Sequence, residues 1–450
     1  MGSIGLEYSG PTLDSSQAGR PRDIVDSFLQ QHPNIDYVRF QWVDYAGVLR
    51  ARVATKAHFD TIVKSNKPLS CGQVTFSCLP DGSRVPFEPC AVHLLHPDWK
   101  SLRVISTSSP GHDSPSYASV MCSIVQKLPG GAPDPDLCPR IALENIIAKA
   151  HNQHGIDFLI GFEIEFVVLQ DGPDGCLSPF SSHPGTYSAA ALRGPSYRYF
   201  EECMRNLLDS GIQVREFHAE GSIGQYEVTL AARPPLEAID ELVSAHDIIR
   251  TTFANHGLTA TMSPKPVMDR QANGSHIHVS IHPPQHEEAF LAGLLSRLPA
   301  ICSLSMASIA SYDRHADFLA GTVVAWGSQN RQVPVRKMRP GYWEIRCADA
   351  MANMYLAVAG ILAAGLLGKQ NNEPLRWNDA SYAGSAQASS DKLPANLEQS
   401  LSQLKRVCGE LSEMLGSRIP GHYLDFKQHE VEALKNLDGQ QLRQLLARLV

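Results

Sequence analysis

The chain has 450 residues, 43% of them hydrophobic, and a formal net charge of −7. That length suffices for two domains or one large one, and the apolar content is that of an ordinary globular protein. A negative balance with no long basic block argues against nucleic acid as a partner, and anionic substrates would need metal ions or local arginines.

Residues 1–22 are rich in Gly, Ser and Pro and lack the apolar core of a signal peptide, so they read as a disordered tail. Gly2 follows Met1, but Leu6 stands where a myristoylation signal carries Ser or Thr. Asp23 to Gln31 reads as a short helix. Asp36 to Val53 alternates apolar and polar residues and reads as a hairpin turning at Asp44 to Gly47. A Pro- and Ser-rich linker runs from Ser106 to Ser116, and a strand from Ala118 to Ile124. Ile141 to His154 has the pattern of an amphipathic helix. Strands and helices then alternate: strand Phe158 to Leu169, helix Ser196 to Ser210, strands Ile212 to Phe217 and Gln225 to Ala231, helix Glu237 to His256. Thr259 to Met262, His276 to Ile281 and Trp343 to Arg346 read as extended, and Ala350 to Leu367 and Leu397 to Leu415 as helices. The longest apolar run, Met354 to Leu367, is too short for a membrane span and suits a core helix.

These elements predict an α+β chain, with a small β-rich N-terminal domain at 23–120 and a larger α/β catalytic domain at 121–450. No internal repeat is visible. The ten cysteines are scattered with no CxxC pair, which fits reduced thiols in a cytoplasmic protein.

Four runs carry the chemistry: Gly161-Phe-Glu-Ile-Glu-Phe166, Glu220-Gly-Ser-Ile-Gly-Gln-Tyr-Glu227, Gly274-Ser-His-Ile-His278 and Trp343-Glu-Ile-Arg346. Side chains at i and i+2 of a strand share a face. Glu163 with Glu165, His276 with His278, and Glu344 with Arg346 would each point one way, opposite their apolar neighbours. Buried without partners, such groups would cost several kcal/mol, on the order of 2–7 each. Five carboxylates (Glu163, Glu165, Glu220, Glu227, Glu344) and His276 are the candidate ligands, and oxygen donors in that number suit two Mg²⁺ or Mn²⁺ ions. Two cations could neutralise triphosphate oxygens during phosphoryl transfer. Arg314, Arg331, Arg336 and Arg346 are candidates to bind carboxylate or phosphate. Alone, each run has a plainer reading as a solvated face, a structural histidine pair or a polar turn. Their ordered combination outweighs those readings.

That combination resembles the glutamine synthetase family, in its bacterial type-I-like branch, from about Asp36 to the C-terminus. The first run is similar to the family's G-P-E-x-E-F strand. His218 to Glu227 is similar to H-x-E-x-A-P-G-Q-x-E, and Thr261-Met-Ser-Pro-Lys-Pro266 to T-F-M-P-K-P. Gly274 to Ser280 resembles G-x-H-x-H-x-S. Ser311-Tyr-Asp-Arg314 and Trp326-Gly-Ser-Gln-Asn-Arg331 resemble S-Y-x-R and W-G-x-x-N-R. Glu344 to Leu356 resembles E-x-R-x-x-D-x-x-A-N-P-Y-L.

The resemblance implies a β-grasp N-terminal domain, an open barrel-like α/β catalytic domain, and homo-oligomeric stacked rings with sites between subunits. It implies that Glu165, Glu220 and Glu227 hold the metal nearer glutamate, and that Glu163, His276 and Glu344 hold the metal nearer the ATP phosphates. His278, Ser280 and Arg336 would sit with the nucleotide, and Arg331 with the transferring phosphate. Arg314, Arg346 and Gly274 would contact the amino acid. The implied reaction phosphorylates the γ-carboxylate of glutamate, and an amine then displaces phosphate to form an amide.

Three positions depart from the family pattern. The stretch Gly72 to Ser77 lacks the acid that ammonia-using members carry there. The flap glutamate falls near Leu319 or Ala320, with Asp317 two or three positions off. Tyr342 stands where an ATP-site arginine is found. The first two remove negative charge from the ammonium position, which favours an organic amine over ammonia. The alternatives are an ordinary glutamine synthetase, a ligase for another acid, and a catalytically silent scaffold.

Overall fold

The structure is a computed structural model that describes residues 21–450 apart from 73, 86–91, 108–114, 128–132, 173–175, 182, 184, 269–271, 317–318, 320 and 383–388. The tail up to residue 20, most of the expected linker, Gln73, Gln271, Asp317 and Ala320 lie outside the described residues. The first helix, Pro21–Gln31, starts two residues earlier than Asp23. Proline suits a first helical turn, where its missing N–H would have no partner anyway.

Strands β1 (Tyr37–Val43) and β2 (Leu49–Thr55) form the expected hairpin. With β3 (Leu69–Gly72), β4 (Val92–Pro97), β5 (Arg103–Ile105), β6 (Tyr117–Lys127) and β7 (Pro133–Asp134) they make one sheet in the order β2-β1-β6-β4-β3, with β5 and β7 also on β6. The first half of β6 pairs parallel to β1, and its second half pairs antiparallel to β4. β6 carries the sheet past residue 120 to Lys127, and β7, paired on it, extends the sheet to Asp134.

The hairpin turn is one place where this sheet meets the rest of the chain. The buried Asp44 carboxylate accepts from the Ala46 and Val48 amides, each at 3.0 Å. Asn353 donates its side-chain amide to the carbonyls of Val43 and Asp44, at 3.1 and 3.0 Å. The Asn353 side-chain oxygen also caps the core helix Met354–Gln370 by accepting from Leu356 N–H at 3.2 Å. That cap explains why the helix starts at Met354 and not at Ala350.

The second sheet contains β8 (Asp157–Asp171), β9 (Leu177–Pro179), β10 (Val214–Ala219), β11 (Gln225–Leu230), β12 (Thr259–Thr261), β13 (Ser275–His282), β14 (Trp326–Ser328), β15 (Val335–Arg339) and β16 (Tyr342–Ile345). Its order is β10-β11-β8-β13-β16-β15-β14, with β9 and β12 also on β8. All its strand pairings are antiparallel except β14 with β15. Phe162, Ile164, Phe166, Val228, Ile277, Val279, Trp343 and Ile345 are buried, and period-2 alternation puts them on one face.

Helices cover that face. Phe166 meets Phe253 of the helix Pro235–Ala254, with ring centroids 5.9 Å apart, and Trp343 stacks on Phe290 of the helix Glu287–Ser305 at 5.8 Å. The segment Pro284–Ser305 is long and apolar enough to cross a membrane by length and composition, yet most of it is buried in the protein. Within it, Arg297 pairs with Glu373 and Glu410, each at 2.9 Å. The apolar run Met354 to Leu367 is the core helix beside it, and every residue of that run is buried.

Short strands of three to six residues (β3, β4, β5, β14 and β15) and the helices Glu287–Ser305, Ile419–Leu434 and Gly439–Leu449 were not legible in the sequence. Their neighbours in the sheet or helix layer complete them.

The turn sets a test. Gly47 has φ +79°, and a Cβ there would come within 2.4 Å of the Met351 carbonyl oxygen. Gly47→Ala is expected to destabilise the chain by about 2–4 kcal/mol, from backbone strain together with loss of this dock. Urea unfolding of the two proteins measures it.

Candidate active site

The polar face of the second sheet collects the predicted residues. The antiparallel register sets His276 opposite Glu163, Glu227 opposite Glu165, and both His278 and Arg336 opposite Glu344. Residues distant in sequence thus become neighbours through strand pairing. Glu220 enters from the β10–β11 turn, and Arg314 from the end of the short 3₁₀ helix Ile309–Arg314.

Glu163 lies 2.9 Å from His276 Nδ1 and 3.0 Å from His278 Nε2 through its two oxygens. His276 is also 3.2 Å from Glu344 and 3.7 Å from Glu165. Glu344 is fully buried. It takes Arg336 at 2.8 Å on one oxygen and Arg346 on the other. Glu165 accepts from the Gly274 amide at 2.9 Å. A side chain at Gly274 would crowd the centre of the site, since its Cβ would fall 2.5 Å from His276 Nε2 and 2.9 Å from both Arg314 and Glu165. Across the face, His218 lies 3.2 Å from Glu227 and 3.6 Å from Glu220.

Two donor groups result. Glu163, His278 and Glu344 offer ligand atoms within 4.8 Å of one another, and so do His218, Glu220 and Glu227. Carboxylate oxygens with an imidazole nitrogen fit Mg²⁺ or Mn²⁺. Of the six expected metal ligands, Glu163 and Glu344 fall in the first group and Glu220 and Glu227 in the second. Glu165 and His276 stand between the two.

The electrostatics differ between the groups. Burial opposes charge on Glu163, but hydrogen bonds from His276 and His278 outweigh it and pull its carboxyl well down. Glu344 is likewise lowered against its burial, chiefly by His276 and Arg346. Glu220 is pushed up by burial and by Glu227, and Glu227 by burial and the charges of Glu163 and Glu165. His218 is raised by its hydrogen bond to Glu227. The second group therefore carries unbalanced negative charge, which a divalent cation would relieve.

The arginines surround these acids. The Nε atoms of Arg314, Arg336 and Arg346 are buried without a hydrogen-bond partner among the described residues. Three half-used guanidinium groups on one site suit an anionic substrate. Arg314 donates to the Ala348 carbonyl at 2.8 Å. Arg331 is exposed, and its charge acts on Glu220 and on Tyr187. His278 and Ser280 line a cavity of about 220 Å³ with Arg215, Thr229, Arg339 and Tyr342.

Some participants were not picked out from the sequence. His218 stands two residues before Glu220 on a strand, so the alternation that exposed the other pairs would have found it. Tyr187 packs its ring 4.7 Å from that of His218 and is 66% exposed. It comes from a loop in which it and Thr186 both hold positive φ, and no local pattern marks it. Gln225 and Asn273 are buried behind Glu165. Gln225 donates to Asn273 at 2.9 Å, and Asn273 donates to the carbonyls of Thr261 and Ser263 at 3.2 and 2.9 Å.

This geometry has known counterparts. Residues 136–441 match the family model of the glutamine synthetase catalytic domain. The chain belongs to the glutamine synthetase family. It is 33% identical over 439 residues to Protein fluG of Emericella nidulans, covering 94% of this chain and about half the length of that relative. It is 30% identical to Gamma-glutamylpolyamine synthetase GlnA3 of Streptomyces coelicolor, with coverage of 88% and 90%, and 27% identical to the Glutamine synthetase of Methanococcus maripaludis, with coverage of 89% and 94%. Among solved structures, a novel glutamine synthase homolog superposes with a TM-score of 0.79 at 25% identity, covering 92% of this chain and 99% of the other. The α+β architecture with its open second sheet is thus the family's, and the class of chemistry is that of an ATP-dependent carbon–nitrogen ligase.

Behind the candidate site lies Asp349, fully buried, 3.8 Å from Arg314 and hydrogen-bonded to Ser311 at 3.1 Å. Burial pushes its carboxyl up to about 6, against the pull of Arg314. Between about pH 4 and 6 the unfolded chain has lost the proton that the folded chain keeps, so stability falls as pH rises through that window, by up to roughly 3 kcal/mol. Asp349→Asn does not titrate. Relative to that variant, the wild type is expected to lose stability from pH 4 to pH 7, with most of the loss below pH 6. Urea midpoints at each pH measure the difference.

Proposed function

We propose that this chain is an ATP-dependent γ-glutamyl–amine ligase. The observation that carries the reading is the convergence of two carboxylate–imidazole groups and three half-used arginines on one sheet face, beside a cavity lined by His278 and Ser280. In this reading Glu163, Glu344, His276 and His278 would hold one Mg²⁺ or Mn²⁺, and Glu165, Glu220, Glu227 and His218 another. Bound there, the cations would supply neutralising charge to the ATP phosphates. Arg314 and Arg346 face the amino acid carboxylates, and Arg331 the transferring phosphate. Arg336 and Ser280 serve the nucleotide side. Gly274 keeps the floor of the amino-acid position open.

The carboxylate is a poor electrophile until the γ-phosphoryl group of ATP is transferred to it. The amine nitrogen then bonds to the carbonyl carbon, the C–O bond to phosphate breaks, and the nitrogen loses a proton. Positioning and charge stabilisation carry both steps.

The missing acid in Gly72 to Ser77 and the displaced flap acid support an organic amine as acceptor, as does the likeness to a γ-glutamylpolyamine synthetase. The likeness to the Glutamine synthetase of Methanococcus maripaludis keeps ammonia as the second reading. Two intact donor groups speak against a silent scaffold. The stacked-ring assembly of the family belongs to this proposal, and exposed Val53 and Val92 on the first sheet offer apolar surface for such contacts. Cys122, Cys138, Cys203, Cys302 and Cys347 are buried free thiols, which supports a cytoplasmic setting.

Phosphate release from ATP, with Mg²⁺ and glutamate, across ammonium, methylamine, ethanolamine, putrescine and spermidine tests the reading. Preference for one organic amine is expected. Fast turnover with ammonium alone would make the chain a glutamine synthetase, and silence across the panel would overturn both. Glu220→Ala is expected to lower turnover at least a hundredfold while leaving the assembly seen by size-exclusion chromatography unchanged.

A further inference from the structure

The second-sheet register sets Tyr342 opposite Ser280, with Glu344 opposite His278 two residues along each strand. The Tyr342 hydroxyl lies 2.6 Å from His278 Nδ1, and the other ring nitrogen, Nε2, lies 3.0 Å from Glu163. His278 is therefore held at both nitrogens. Tyr342 is in turn held by Arg339, whose guanidinium sits 5.5 Å above its ring. A register shift between Lys337 and Arg339 brings that arginine opposite Tyr342. On the neighbouring strand Gly161 faces His278, where a Cβ would lie 3.5 Å from the histidine Cβ, so the imidazole has backbone behind it.

The chemistry of the hydroxyl matters. A guanidinium only donates hydrogen bonds, whereas a phenol both donates and accepts. An arginine beside Nδ1 would have to donate to it, which leaves the ring proton on Nε2, facing Glu163. A tyrosine can accept from Nδ1–H, which frees the Nε2 lone pair toward Glu163 and Glu344. Imidazoles that ligate metals commonly donate their second N–H to such an outer partner.

We infer that Tyr342 is a positioning residue whose hydroxyl orients His278 so that His278 joins Glu163 and Glu344 as a cation ligand. This rests on the ligase reading only in that the Glu163–Glu344 face binds a divalent cation. Tyr342 substitutes for the missing arginine by building the cation site, not by contacting phosphate itself.

Mn²⁺ titration of the full chain without nucleotide, read by the EPR signal of free Mn²⁺, tests it. Wild type is expected to bind two ions, and Glu220→Ala identifies the ion held by the other group. Tyr342→Phe keeps the ring and loses the hydroxyl. It is expected to weaken the Glu163–Glu344 ion about tenfold and leave the other unchanged. Tyr342→Arg should weaken the same ion at least as much. His278→Ala should do so too, and adding Tyr342→Phe to it should cost nothing further. Wild-type binding by Tyr342→Phe, or a further tenfold loss in the double variant, would overturn the inference and leave the ligase reading standing. A wild type that binds no Mn²⁺ would overturn both. Thermal melts of each variant separate lost binding from lost folding.

Discussion

The site depends on one constraint: strand β8 must present Glu163 and Glu165 on the polar face of a sheet whose other face packs against helices. Phe162, Ile164 and Phe166 fix which way β8 turns, because slipping the register by one residue would bury both carboxylates in the helix layer. The acids therefore stay where the fold puts them, at the centre of the sheet. The neighbouring strands answer with opposite charge and hydrogen-bond donors. β13 brings two histidines, β15 brings Arg336, and β16 brings a further acid, Glu344, with Arg346 just past its end.

The compensation is uneven, and the unevenness has chemical content. Around Glu163 and Glu344, imidazoles and guanidinium groups nearly balance the acids and hold them ionised. Around Glu220 and Glu227 a single histidine faces two carboxylates, and both are driven toward the neutral form. A cation would bind the first group by fitting into existing order. It would bind the second by relieving repulsion. Both fit an ATP-dependent carbon–nitrogen ligase.

The first sheet is tied to the rest of the fold by the Asn353 side chain at the Asp44 turn and by buried charge. Arg140 sits between Asp98 of the first sheet's connections and Asp240 of the helix Pro235–Ala254, at 2.8 and 2.7 Å. Tyr355 of the core helix donates to the same Asp240 at 2.5 Å. Breaking such a network leaves a buried charge unpaired, which makes it a specific joint more than a source of net stability.

The sequence by itself determined the local pieces: the hairpin at Asp44, the alternating strands at Glu163, His276 and Glu344, the buried run at Met354, and the family to which their order belongs. Those follow from side-chain period, turn chemistry and motif spacing, which act over a few residues. Only the tertiary structure decided that β6 carries the first sheet past residue 120, that Tyr342 bonds to His278, and that Asp349 lies buried behind Arg314. These depend on which strand pairs with which and at what register. Pairing between residues as far apart as Tyr342 and His278, 64 positions along the chain, is settled by the packing of the whole core, and no local pattern encodes it.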